Sequence, residues 1–422
     1  MSPTTRGAGK RWTPNLPREK IIGVSIASIS ERDEHGRSAR RARLSRATRL
    51  SQLTLLAIAC FCSNPAIWAQ TSDSQTGDAN ASWTATTDSQ GDNVNPTRTI
   101  ESHTQSGNRT LDKQTVQRRG SDGEFEFDQG IEKETLQINA STTRIITRRF
   151  GRDGNGVKTL LQVMEEERHR LPGGDANVAS STSNADANGN LQLIRRQTEE
   201  TKKINKDVEE TNTTVMFPSP NGGLTPAMKI QERRTRASED TVESQTTTLR
   251  PDGAGNWQVD EIRQATARQE GKNRSTEERI SRADSEGRLG EVSRAVSKES
   301  ESASGDKRAT VETYSIDVPG SVPDGRLHLV ERATTTGRVS STGQQSTEQQ
   351  VEQPNPGDPG SGLQVTILTS DNVRPGPSGA QAMRIIQMRD ANGSFGVVSV
   401  DTTKSDNVHA IQVQIAPSEQ PK

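Results

Sequence analysis

The chain has 422 residues, of which 28% are hydrophobic, 3% aromatic and 26% charged, with a formal net charge of −1. So thin an apolar content excludes a thick two-layer core of ordinary size. Residues 1–69 carry 12 Lys/Arg against 4 Asp/Glu and the remainder 42 against 51, so the bulk of the chain is acidic and lacks the basic stripe that nucleic-acid binding needs.

The N-terminal region, residues 1–69, reads as a targeting segment. An Arg-rich stretch from Arg40 to Arg49 precedes the one sustained apolar run, residues 53–62, and small residues up to Ala69 supply a cleavage region. A positive flank, a short apolar centre and a small residue at the cut describe a secretory signal peptide, and the run is too short for a membrane-spanning helix. Both cysteines, Cys60 and Cys62, lie inside it. Cleavage after Ala69 therefore leaves a mature chain with no disulfide framework and no thiol chemistry. Residues 70–95 are rich in Ser, Thr, Asp, Gly and Asn and read as a flexible polar leader.

A repeat dominates residues 96–343. Its clearest copy is Asp252-Gly-Ala-Gly255-Asn-Trp257-Gln-Val259. Glycines at 91, 123, 156, 189, 222, 255 and 287 recur at intervals of 32 or 33 residues, continued more loosely by Gly325, Gly362 and Gly393. An Asp stands three positions earlier at Asp88, Asp153, Asp186, Asp252, Asp284 and Asp390, and Ser219 replaces it before Gly222. Asp bonds its own backbone and Gly supplies positive φ, so each motif predicts a tight turn. Apolar residues follow at alternate positions, as in Phe125 and Phe127, Leu191 and Leu193, Met228 and Ile230, Trp257 and Val259. Alternation is the period of a half-buried strand. Thr-rich segments such as Thr241–Leu249 lead back to the next turn.

Segments such as Glu277–Asp284 and Gln197–Lys206 also carry helical spacing. The Thr and Gly content favours strands over a helical array. One such hairpin buries too little to stand alone, so the repeats must pair edge to edge. The expected fold is all-β, an extended antiparallel meander of ~33-residue hairpins with roughly 14–18 strands, curled or barrel-like. Residues 344–362, with Pro354-Asn-Pro-Gly-Asp-Pro-Gly-Ser-Gly362, read as a linker or long loop. Residues 363–416 read as a better-cored C-terminal β cap.

No catalytic, cofactor-binding or metal-binding residues emerge. The five histidines are scattered, Glu165–Glu167 reads as a solvated face, and no nucleophile, phosphate-loop or zinc motif is present. Asn184-Ala-Asp186-Ala-Asn188-Gly189 resembles half a calcium loop, but Arg195 stands where the closing Glu belongs. The sequence reading is therefore an exported, non-enzymatic structural or adhesive protein of the cell envelope. It would sit in the periplasm, at the cell surface or outside, partnered by itself or by envelope components, with no membrane span in the mature chain. One alternative is a carrier using the concave face of the sheet. Another is an outer-membrane β-barrel, which the strand length and number fit. The low aromatic content, the two or three apolar residues per strand and the ending in Pro417–Lys422 argue against that barrel.

Overall fold

A computed structural model describes residues 82–407, apart from 92, 93, 253, 322, 323, 356 and 391. The stretch read as a signal peptide, residues 1–69 with Cys60 and Cys62, lies outside the described residues.

Twenty strands form one sheet. They are β1 (Ser82–Gly91), β2 (Val94–Ser106), β3 (Arg109–Arg119), β4 (Phe125–Gln137), β5 (Thr142–Arg152), β6 (Lys158–Arg170) and β7 (Ala176–Ala185). Next come β8 (Leu191–Lys203), β9 (Val208–Pro218), β10 (Leu224–Arg236), β11 (Thr241–Pro251), β12 (Trp257–Glu270), β13 (Asn273–Ala283) and β14 (Leu289–Glu301). The last are β15 (Lys307–Ser315), β16 (His328–Val339), β17 (Gln345–Asn355), β18 (Asp358–Gly376), β19 (Gly379–Arg389) and β20 (Phe395–Ser405). Each pairs antiparallel with its sequence neighbour, and β20 pairs back onto β1, from Ala85↔Ser405 to Gln90↔Val400. The sheet is thus a closed 20-stranded barrel with no free edge.

The count exceeds the expected 14–18 because strands also occupy the stretches that looked least like strands. β1 runs through residues read as a leader, and β17 and β18 run through 344–362, meeting near the Pro-Gly run. The segments with helical spacing, Gln197–Lys206 and Glu277–Asp284, lie largely in β8 and β13.

The stagger of the barrel follows from its registers. Paired residues traced round the wall from Ala85 climb to Asn184 near the upper end of β7. Restarted about eight residues lower at Ala176, the trace climbs to Ser315. Restarted as far down again at Lys307, it closes on Ser89. The stagger is therefore about one residue per strand, about twenty in all. With strands ~4.8 Å apart and a rise of ~3.3 Å, that fixes a tilt of about 35° and a mean radius of about 19 Å.

Turn chemistry explains the upper end, where β1 meets β2, β3 meets β4, and so on to β19 and β20. In the turn after β11, the Asp252 carbonyl accepts from Gly255 N–H at 3.1 Å, and Gly255 takes φ 88°. Asp252 Oδ1 accepts from the backbone N–H of Ala254 and Asn256, each at 2.8 Å. Asp153, Asp186, Asp284 and Asp390 repeat these contacts. At the lower end Ser302 and Ser340 do the same with their hydroxyls. Gly91 and Gly362 depart from the pattern. Asp88 lies within β1 and pairs with Arg98 at 2.7 Å, and Gly362 lies inside β18.

Every descending strand on an upper turn also carries a register shift, which in β2 falls between Val94 and Thr97 opposite Gly91 and Ser89 and in the later strands is a single-residue β-bulge. The extra residue is Asp128, Leu161, Ile194, Ala227 or Asp260, each 33 residues apart, then Val292, Val330, Thr366 and Val398. A bulge shifts the inside–outside parity by one. Trp257 and Val259 point outward, Asp260 is the bulge, Glu261 points inward and Ile262 outward again.

Candidate functional site

Directly opposed residues share a face, so the registers assign every strand residue to one wall surface, and the assignment closes consistently round the barrel. Side chains converge on the concave face and crowd there. The buried Ala, Val, Thr, Ser, Asp and Glu side chains, including Ala85, Val215, Ala309, Glu331, Val351 and Asp371, all lie on that inner face except Thr142 and Val163.

The inner face is polar. Residues one period apart sit two strands over at the same height, so repeated chemistry becomes rings. Glu166 on β6, Glu199 on β8 and Glu232 on β10 form such an arc, with Ser180, Thr211 and Thr213 between them. Glu166 pairs with Arg168, one inward position lower, whereas among the described residues Glu199 and Glu232 make no ion pair. Elsewhere inward charges pair across strands. Arg384 grips Asp371 through Nε at 2.6 Å and Nη2 at 3.2 Å. Arg282 reaches Glu261 at 2.9 Å, and Arg263 reaches Glu278 at 3.2 Å. His103 Nδ1 lies 2.6 Å from Asp112 Oδ1, with the Trp83 ring stacked on the imidazole. Sequence spacing hides that pair, because a hairpin joins residues nine apart.

The outer face is divided by height. Its upper part is an apolar collar, to which nearly every repeat contributes. Phe125 and Phe127, Leu191 and Leu193, Trp257 and Val259, Leu363 and Val365, Phe395 and Val397 all face out there. Several are well exposed: Leu191 by 49%, Leu289 by 44%, Leu193 and Val397 by 40%. The alternate apolar residues expected to be half-buried thus lack a second layer to cover them. Met228 and Ile230 are the exception and point inward, because the bulge at Ala227 precedes them. Cations lie on the collar's aromatic faces: Lys158 over Phe150 at 4.0 Å, Lys229 over Trp257 at 4.5 Å and Arg98 over Phe125 at 4.3 Å. The collar covers about four residues of strand, about 11 Å along the axis at this tilt.

Below it the outer face is a lattice of opposite charges. Arg109 and Arg148 reach Glu134 at 2.7 and 3.3 Å, Arg233 reaches Glu210 at 3.2 Å, and Arg332 reaches Glu312 at 2.9 Å. Small side chains around Thr266 leave a groove of about 720 Å³ lined by Arg233, Arg268, Arg279 and Lys298 together with Glu243 and Glu277. Exposed pairs of this kind contribute little to stability, ~0–1 kcal/mol each. Sunk into hydrocarbon, each Arg or Lys would cost ~2–4 kcal/mol at the midplane.

The residues weighed as sites in the sequence do not come together. His169 faces out beside Glu167, and His328 lies 3.0 Å from Asp324 in the β15–β16 connection. Glu165 and Glu167 face out while Glu166 faces in. Asp186 is engaged by its own turn, where the Asn190 and Asn188 amides hold its carboxyl below the ordinary range. Among the described residues no group of three His, Cys, Asp or Glu side chains is placed to hold a metal.

No protein-family model matches the chain, and no curated protein does. Solved structures give weak likenesses. The siderophore receptor PirA from Pseudomonas aeruginosa is 9% identical, with 79% of this chain and 81% of that one covered at a TM-score of 0.36. OccK5 (OpdH) from the same organism is 10% identical, with 77% and 96% covered at 0.37. A BenF-like porin from Pseudomonas fluorescens Pf-5 is 8% identical, with 78% and 98% covered at 0.32. Likeness this low leaves the fold resting on the chain's own hydrogen-bond ladder.

That ladder corrects the functional expectation. A structural or adhesive ribbon needs free edges and accessible faces, and closure of β20 onto β1 leaves no edge. It also leaves no open concave groove for a carrier. The expectation that the mature chain has no membrane span falls with it, since a closed barrel is the one strand architecture able to cross a bilayer. The sequence reading failed because it took the few apolar residues of each strand singly, whereas the period stacks them into one ring.

Proposed function

We propose that the protein is an outer-membrane β-barrel of the cell envelope whose polar lumen admits small hydrophilic solutes. The observation that carries the reading is the combination of a closed 20-stranded wall, a hydrophilic inner face and an apolar ring outside. Barrels of ~16–18 strands already leave an aqueous channel. The role is non-enzymatic: the wall supplies shape and charge. Glu166, Glu199 and Glu232 line one arc of the passage and favour cations there, as carboxylate rings do in channels.

The test is reconstitution of the purified protein into a planar bilayer under salt. Stepwise conductance is the expected result. A protein that keeps its β-type circular dichroism in the bilayer yet passes no current would overturn the pore reading.

A further inference from the structure

We infer that hydrocarbon meets this barrel only along the collar at its upper end, and that the Arg/Glu lattice below stands at the level of lipid headgroups and in the adjoining water. The inference rests on the outer-membrane reading and adds where, and how deeply, the membrane sits.

Three observations carry it. First, the collar is annular. A globular partner would cover one side of a barrel, and only a lamellar phase surrounds it at a single height. Leu193 on β8, Val259 on β12 and Val397 on β20 lie far apart round the wall but at one level. Second, the collar is short. Its height of about 11 Å is under half of the ~25 Å apolar band of a barrel that presents a full hydrocarbon thickness. A bilayer thins around such a ring, or is displaced towards that end. Third, the chemistry beneath the ring suits an interface. The groove about Thr266 is lined by four long cationic side chains and by Glu243 and Glu277; Arg233 is paired with Glu210 and Arg279 with Glu277, whereas among the described residues Arg268 and Lys298 make no ion pair. They are placed to meet the anionic phosphates of headgroups just below the hydrocarbon. Along β12 the whole sequence is read on one strand: Trp257, Val259 and Ile262 in the collar, then Gln264, Thr266 and Arg268 below.

The experiment places a fluorophore at two outward positions of that strand. Val259→Cys and Thr266→Cys are each made in a chain carrying Cys60→Ala and Cys62→Ala, then labelled and reconstituted in phosphatidylcholine vesicles with one-fifth phosphatidylglycerol. Brominated acyl chains report lipid contact, and iodide reports water. The expected result is at least twofold stronger bromine quenching at position 259 than at 266, with the opposite order for iodide. Strong bromine quenching at both positions would overturn the collar while leaving the membrane reading intact. Quenching by iodide alone at both would overturn the membrane reading as well. Should the Val259→Cys label perturb insertion, Trp257 serves unmodified, as the sole Trp after Trp12, Trp68 and Trp83 are changed to Phe. Its emission is expected to fall with bromolipid, and an unchanged emission would count against the collar.

Discussion

The barrel stands or falls with one seam. β1 and β20 share six paired residues, Ala85–Gln90 against Val400–Ser405, reinforced by Thr87 Oγ1 and Thr403 Oγ1 at 2.9 Å and by Thr84 N–H donating to Asp406 Oδ1 at 2.8 Å. At ~0.5–1.5 kcal/mol net per ladder bond, the seam contributes about 6 kcal/mol. Gly91 lies at its upper end. A Cβ built there would sit 2.2 Å from the carbonyl oxygen of Val398, the bulge residue of β20. Gly91→Ala must therefore push the strands roughly 1 Å apart, which overpacking data put at ~1–3 kcal/mol. A loss of ~2 kcal/mol raises the open fraction about thirty-fold. Peptide-level hydrogen exchange should show residues 82–91 and 395–405 exchanging about thirty times faster in the variant, with β10 and β11 unchanged. A Thr87→Cys/Thr403→Cys disulfide across the seam should abolish the difference. Equal acceleration in all strands, or none, would refute the idea that this glycine guards closure.

Other consequences are open to direct measurement. Leu193→Arg and Trp257→Arg each place a charge in the collar, at ~2–4 kcal/mol if that level is hydrocarbon; flotation with vesicles should fall at least tenfold while circular dichroism stays that of the parent. Changing Glu166, Glu199 and Glu232 together to Gln leaves Arg168 and Arg234 dominant on that arc, so the reversal potential in a salt gradient should move towards anion preference. Asp252 is held below its ordinary value of 3.8, chiefly by the Asn256 backbone N–H and side-chain amide. Its stabilising share is therefore present above the unfolded value and lost as pH falls through the lower folded one. The Gly255 amide should lose protection only below about pH 3.8, and in Asp252→Asn, which keeps the acceptor but not the titration, its protection should stay flat with pH.

The hairpins were legible because their cause is local. Asp or Ser three residues before a positive-φ Gly makes a turn wherever it occurs, and the 33-residue spacing of Gly123, Gly156, Gly189, Gly222 and Gly255 gives the strand lengths. What lies at longer range was hidden. Closure depends on Ala85 meeting Ser405, more than three hundred residues away, and no motif marks either. The faces were hidden by the bulges: Trp257, Val259 and Ile262 look unevenly spaced until Asp260 is set aside, after which all three face outward. Ile280, on the neighbouring strand β13, faces inward opposite Arg263. The lumen was illegible for a related reason. Glu165, Glu166 and Glu167 are chemically one run, yet the pleat sends only the middle one inside.

The matched stagger has a consequence for how such a wall changes size. Every period contributes two strands and two residues of climb, so the slope of the strands is the same however many copies are strung together. Duplicating or excising a unit between equivalent positions, such as Glu199 and Glu232, leaves every remaining neighbour in its old partnership. Each such event alters the mean radius by about 2 Å. The bore is thus counted out in copies, and a wider or narrower relative needs no new sequence, only a different number of the same thirty-odd residues.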